Sequence, residues 1–221
     1  MDNFNKNIIC VDSNDSIVGT EKASKAHTLE HLTLHRAFSL FLFNTNNKLL
    51  IQKRSSTKYV FPGLWANTVC SHPFLNPLSF SDPLQDAKNH VVERLGYELG
   101  ITNVTTEDLR FVTRLRYKAT EDEFYGQLMD GVPLPQEVDK KFNEKFAKKF
   151  IFNPNDTKWG EWEVDYVFIC KKDVVVKPNP DEVAEYLYID EEEFREFSKT
   201  NLLSPWKKLI VKYVNVFDLI K

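Results

Sequence analysis

A chain of 221 residues with 42% hydrophobic content can bury a sizeable core and fits one elaborated domain, residues 1–221, better than two small ones. Its net charge of -3 and pI near 6.0 lack the basic excess of nucleic-acid binders, and no apolar run approaches the roughly 18 residues that span a bilayer. Residues 1–10 lack the basic start and long apolar stretch of a secretory signal, Leu219-Ile220-Lys221 is no peroxisomal address, and three scattered cysteines make no disulfide framework, so a reducing, cytoplasmic setting is expected.

In chain order, Ile8 to Val11 and Ile17-Val18 flank Asp12-Ser13-Asn14-Asp15, a turn-forming run, and predict an N-terminal β-hairpin. Ala37 to Phe43 and Lys48 to Lys53 flank Asn44-Thr45-Asn46-Asn47 and predict a second. Residues 61–73 carry Pro and Gly without periodicity, which reads as an irregular segment able to carry a site. Leu84, Ala87, Val91, Leu95 and Leu99 recur at three or four residues and predict a helix from Pro83, stopped by Gly100. Strands are expected at Leu109 to Tyr117 and Glu163 to Cys170, separated by an insertion at about 118–157. Within it Val138, Phe142, Phe146 and Phe150 suggest an amphipathic helix. Val174 to Val176 and Glu185 to Ile189 are further strand candidates, Asp190 can cap a short helix, and Ser204-Pro205 opens a last helix through Ile220. Irregular mixing of strands and helices argues for an α+β or mixed α/β sandwich.

All five histidines precede residue 91, and His27, His31 and His35 fall within nine positions, with His72 in the Pro/Gly-rich segment. Imidazoles and carboxylates are suitable ligands for a divalent ion, although a lone histidine is more often a hydrogen-bonded core group. Glu161 and Glu163 are two apart, so on a strand they share a face; their repulsion suits either metal binding or a shared acid/base task, and equally a solvated edge pair.

His35 to Asn44, Gln52 to Ser55, Lys58, Phe61-Pro62-Gly63, Trp65, Asn67-Thr68, Cys70-Ser71-His72-Pro73, Tyr97 to Gly100, Arg116 to Ala119, Glu161, Glu163 and Ser204-Pro205-Trp206 follow one another in an order that resembles the type I isopentenyl diphosphate isomerases. The resemblance runs from about Ile8 to Trp206 outside the insertion. It implies a Nudix-like α/β/α sandwich with a mixed sheet, an N-terminal β-hairpin and C-terminal helical additions. The implied activity is interconversion of isopentenyl and dimethylallyl diphosphate through a carbocation.

The same resemblance implies roles. Cys70 and Glu163 would be the acid/base pair, Tyr117 would hydrogen-bond the glutamate, and Trp206 would stabilise the cation through its π face. A divalent metal (Mg, Mn or Zn) would sit among His35, His72, Glu161 and Glu163 with His27 or His31, of which His27 is favoured. Glu98 would help hold a second ion, magnesium, against the diphosphate. Lys22, Arg54, Lys58 and Arg94 would grip that group, which carries about three negative charges. No organic cofactor is implied. The substrate would be a small allylic or homoallylic diphosphate, with no nucleic-acid or membrane partner.

Two rivals follow. A Nudix hydrolase needs a Gly-initiated, Glu-rich helix signature, but the corresponding positions hold Ser79, Gln85, Glu93-Arg94 and Tyr97, so most metal carboxylates are missing. A non-catalytic scaffold binding through the insertion is opposed by the joint presence of Cys70, Glu163 and Trp206.

Overall fold

The computed structural model describes residues 3–120, 124–130 and 159–221. Asp12 Oδ1 accepts the backbone N–H groups of Asn14 and Ser16, both at 2.9 Å, and Asp15 takes a left-handed φ of 69°. The chain therefore reverses between β1 (Asn7–Val11) and β2 (Ile17–Lys22), giving the predicted hairpin. A short helix α1 (Ala23–Ala26) leads to β3 (His35–Phe43), in which all nine residues are buried, the mark of a central strand covered on both faces. Asn44 Oδ1 accepts from Lys48 N and Asn47 is left-handed at φ 60°, so β4 (Leu49–Arg54) folds back beside β3.

The segment read as irregular contains two short strands, β5 (Trp65–Ala66) on β4 and β6 (Val69–Ser71) on β3. Helix α2 (Leu78–Ser81) precedes α3 (Pro83–Leu99), which has the predicted bounds: Asp82 accepts from Gln85 N, Pro83 opens the first turn, and Gly100 ends it at φ 62°. A Cβ on Gly100 would lie 2.7 Å from the carbonyl oxygen of Lys177, so the close crossing there needs glycine.

Strand β7 (Arg110–Ala119) runs past the expected end at Tyr117 and turns back as β8 (Phe124–Leu128), so part of the segment read as an insertion is a hairpin. The helix expected at Val138 to Phe150 lies outside the described residues. Then come β9 (Glu161–Lys171), which starts two residues earlier than expected, β10 (Val183–Ile189), α4 (Glu191–Thr200) and α5 (Pro205–Tyr213).

Two expectations fail for local reasons. Val174 to Val176 form no strand, and Lys177 N donates to Leu99 O across the α3 terminus instead. The last helix stops at Tyr213 rather than Ile220, because Val214 is extended and Asn215 binds Asp218 and Phe217 N to form a turn.

The strand order β10-β4-β3-β9-β7-β8 is antiparallel except for the parallel pair β3–β9. On one face Phe38, Leu40, Val164 and Phe168 pack with Val91, Leu95 and Leu99 of α3; on the other Phe41, Phe43, Val167 and Ile169 pack with Phe194 of α4 and Trp206 and Ile210 of α5. Each buried aliphatic or phenylalanine contributes about 1.5–3 kcal/mol. The result is the α/β/α sandwich with a mixed sheet, N-terminal hairpin and C-terminal helices that the sequence implies.

Candidate active site

Sheet register assembles the centre of the site. His35 on β3, Glu163 on β9 and Tyr117 on β7 are direct neighbours across three adjacent strands, and Glu161 lies two residues along β9 on the same face. The Tyr117 hydroxyl donates to Glu163 Oε2 at 2.6 Å. His27, the residue ending α1, and His72, just after β6, close the group. One ligand atom from each of His27, His35, His72, Glu161 and Glu163 lies within 4.8 Å of every other. Gly160 N donates to His27 O at 2.8 Å, tying α1 to the start of β9; a Cβ at Gly160 would stand 2.9 Å from the Leu29 side chain.

The tautomers are set from behind. His27 Nδ1 meets Ala23 O and His35 Nδ1 meets Thr33 O, both at 2.7 Å. A carbonyl can only accept, so each Nδ1 carries the proton and each Nε2 turns a lone pair inward. His27 Nε2 then faces Glu161 Oε2 at 3.1 Å and His35 Nε2 faces Glu163 Oε1 at 3.5 Å, acceptor against acceptor. His35 Nε2 and Glu161 Oε2 are buried without a hydrogen-bond partner. Orphaned buried lone pairs are costly, and a shared cation satisfies them all. The residues fit a divalent ion by both donor chemistry and convergence.

With no ion bound, a proton takes the cation's place: burial opposes a charge on His27, but Glu161 and Glu163 outweigh it and raise its pKa. Burial and the neighbouring Glu163 hold the Glu161 carboxyl above the usual range. Burial also opposes ionisation of Glu163, but wherever His35 or His72 carries a proton on Nε2, the latter 2.8 Å from Glu163 Oε1, it outweighs burial and holds that carboxyl well below the usual range. Burial and the adjacent imidazoles depress His72 to about 3. Such mutually perturbed groups at a cavity mark a functional site.

Cys70 pairs with Ser39 on the other side of β3, and burial pushes its thiol up to about 12, with Arg54 Nη1 at 3.8 Å acting in the opposite direction. Trp206 opens α5, and its indole N–H donates to Asn67 Oδ1 at 2.8 Å. Asn67 in turn donates to Leu40 O and Val69 O, so the buried amide ties the ring to the turn that carries Cys70. The Trp206 face already meets a cation, the Arg54 guanidinium at 5.4 Å from its centroid.

Arg54, Lys58 and Arg94 line the same cavity, of about 380 Å³, as Cys70, Glu163, Tyr117 and Trp206. Arg54 is anchored by the carbonyls of Phe61 and Val60; Phe61 holds its oxygen there at a left-handed φ of 48°, a strained value before proline. Glu98 lies apart from the His/Glu group, buried and bound to Arg94 and Gln52. Lys22 is exposed at the end of β2 and does not line the cavity, while His31 is exposed beside Glu30. Among the described residues the His/Glu set is the one group of this kind, so α3 offers no metal carboxylate cluster of the hydrolase type. Two features escaped the sequence reading: Asn67, quoted there without a role, which is buried behind the cavity and holds Trp206, and Glu182, which lines the cavity and whose carboxylate contacts both Lys58 and Arg94.

No protein-family model matches the chain. Isopentenyl-diphosphate Delta-isomerase 1 of Mesocricetus auratus is 36% identical over 215 residues, covering 92% of this chain and 79% of the relative. The chain belongs to the isopentenyl-diphosphate Delta-isomerase family. Isopentenyl-diphosphate Delta-isomerase II, chloroplastic, of Arabidopsis thaliana is 36% identical over 225 residues, covering 94% of this chain and 66% of that one. Among solved structures, a protein of Deinococcus radiodurans aligns over 94% of this chain and 98% of its own, with a TM-score of 0.55 at 17% identity, a likeness of fold alone. A Nudix hydrolase of M. smegmatis aligns over 96% of this chain and 94% of its own with a TM-score of 0.41. For this isomerase-family chain, no helix among the described residues is long and apolar enough to cross a membrane.

Proposed function

We propose that this chain, acting as one domain, interconverts isopentenyl and dimethylallyl diphosphate. A proton added to the terminal alkene carbon gives a tertiary carbocation, and a proton lost from the carbon nearer the diphosphate gives the shifted double bond. The observation that carries the reading is that Cys70 and Glu163, whose Oε2 accepts from the Tyr117 hydroxyl at 2.6 Å, line one cavity together with Trp206. Burial favours the thiol form of Cys70, and positive charge among His35 and His72 favours the ionised form of Glu163. In the direction toward dimethylallyl diphosphate, Cys70 therefore supplies the proton and Glu163 removes one. Arg54 favours the thiolate left behind, and Tyr117 holds the glutamate oxygen that accepts. The Trp206 face shields and stabilises the cation, with a contribution of about 2 kcal/mol when desolvated. Proton return from Glu163 to Cys70 resets the site after release.

His27, His35, His72, Glu161 and Glu163 would hold one divalent ion, for which three imidazoles and two carboxylates suit zinc or manganese better than magnesium. Bound, such an ion neutralises the paired carboxylates. Arg54, Lys58 and Arg94 are the candidate diphosphate contacts, with magnesium accompanying that group and Glu98 its candidate protein ligand. Three free thiols suit a reducing, cytoplasmic setting.

The test is proton NMR of the protein with isopentenyl diphosphate in deuterated water, with and without a chelator. Growth of dimethylallyl signals carrying deuterium, lost on chelation, is expected. Phosphate release without double-bond movement would replace the isomerase reading with a hydrolase one.

A further inference from the structure

The basic end of the cavity carries a feature that the reaction does not require. Glu182 lines the cavity and its Oε2 contacts two of the three candidate diphosphate cations, Lys58 Nζ and Arg94 Nη2, the latter at 3.3 Å. Its side chain is 14% exposed, so this is no freely swinging surface acid. The backbone around it is stitched on both sides: Ser55 N donates to Glu182 O, Thr57 Oγ1 to Asp181 O, and Asn179 N to Glu98 O at the end of α3. Val183, the next residue, pairs with Arg54 in the sheet. The carboxylate is thus delivered to Lys58 and Arg94 by fixed elements, β4, α3 and β10.

A half-buried carboxylate on two cations that a diphosphate needs can act in two ways. It can merely stabilise the fold, or it can stand where a phosphate oxygen will stand and be exchanged for it. Arg94 already has a second carboxylate, Glu98, and is anchored by it. The arginine therefore does not need Glu182 to stay in place. Lys58, 22% exposed, could satisfy its ammonium with water. The structural demand for Glu182 is weak, and its position in the cavity is what remains to be explained.

We infer that Glu182 is a resident counter-anion of the diphosphate subsite: it occupies Lys58 and Arg94 in the free protein, gives them up to the diphosphate, and by its negative charge keeps diphosphates from binding too tightly to be released. Glu182 is a positioning residue and touches none of the reacting carbons. The inference rests on the assignment of this cavity end to the diphosphate. Its sign is opposite to that of an ordinary structural ion pair, since removing a like charge beside a bound anion strengthens binding.

The test is titration calorimetry of wild-type protein and Glu182→Gln with inorganic pyrophosphate, with and without magnesium, alongside thermal unfolding and steady-state kinetics. Glu182→Gln is expected to bind pyrophosphate about tenfold more tightly in both conditions, equivalent to about 1.4 kcal/mol, and to lower KM, with kcat lowered as product leaves more slowly. Unchanged or weaker binding by a folded variant would overturn the inference and leave Glu182 a structural partner. Weaker binding only with magnesium present would overturn it in favour of a magnesium-holding role. If wild-type protein itself fails to bind pyrophosphate, the assignment of the subsite fails, and the inference with it. Should Glu182→Gln not fold, Glu182→Asp, which draws the charge back by one methylene, is expected to tighten binding by a smaller factor.

Discussion

At the His/Glu end of the cavity the protein turns acceptor against acceptor: His27 Nε2 faces Glu161, His35 Nε2 faces Glu163, and two of those atoms have no hydrogen-bond partner. At the basic end Lys58 and Arg94 already hold carboxylates, Glu182 and Glu98. The first arrangement has unpaired acceptors that an added cation would satisfy; the second is already neutralised and, on the inference above, exchanges one anion for another. On the proposed reading, preorganised burial serves proton transfer at one end, and exchangeable charge serves binding and release at the other.

That contrast predicts opposite kinetic signatures. Glu163→Gln removes the base and the negative charge offered to a bound cation while leaving an amide oxygen for Tyr117, so turnover should fall by about 10³-fold or more, with the far-UV spectrum unchanged. Lys58→Ala removes one charge-assisted contact to the diphosphate, worth ~1.5–3 kcal/mol, and should raise KM by roughly 10–100-fold while kcat moves little. Measured kcat and KM for both variants check the division. A Lys58→Ala enzyme impaired mainly in kcat would show that the two ends are not separable.

The next largest effect is expected at Asn67, which ties Trp206 to the turn that carries Cys70. Asn67→Ala leaves the Trp206 indole N–H buried without an acceptor and takes a donor from Val69 O, next to Cys70, and from Leu40 O, which keeps Thr68 N. Unpaired buried groups cost about 1–3 kcal/mol each, so a denaturant midpoint should fall accordingly, and kcat should fall more than KM rises. Normal turnover in a folded Asn67→Ala protein would mean that Trp206 needs no such anchor, or has no part in stabilising the cation.

Local elements were readable where the chain carries its own punctuation. Asp82, Pro83 and Gly100 bound α3, which begins and ends where expected, and Asp190 with Glu193 makes a capping box where α4 was expected to start. Val174 to Val176 have strand composition, but a strand also needs an unoccupied partner edge, which composition does not reveal. The His/Glu group joins residues from 27 to 163, brought together by β3–β9 register rather than by spacing, so only the family resemblance proposed the set. Glu182 reads in sequence as one acid among many before a strand. Its signal is tertiary: a half-buried carboxylate directed at two cations.

The smallest expected effect concerns pH, and its sign follows from Cys70. The folded protein raises the thiol from an ordinary 9.0 to about 12, chiefly by burial, so it holds that proton more tightly than the unfolded chain does. The resulting stability is fully present below pH 9 and is lost as pH rises from 9 toward 12, at ~1.4 kcal/mol per pH unit as an upper bound. Cys170, raised to about 11, and Cys10, also raised, contribute in the same direction, so wild-type protein alone would not isolate Cys70. Urea unfolding of metal-free wild-type and Cys70→Ala proteins does, because the other two thiols cancel in the difference. The stability of wild type minus that of the variant should be constant from pH 7 to 9 and decline above it. A difference that instead changes between pH 6 and 8 would mean that the folded thiol ionises near neutrality. Cys70 would then begin the cycle as a thiolate, and the direction of proton transfer assigned to the pair would have to be reversed.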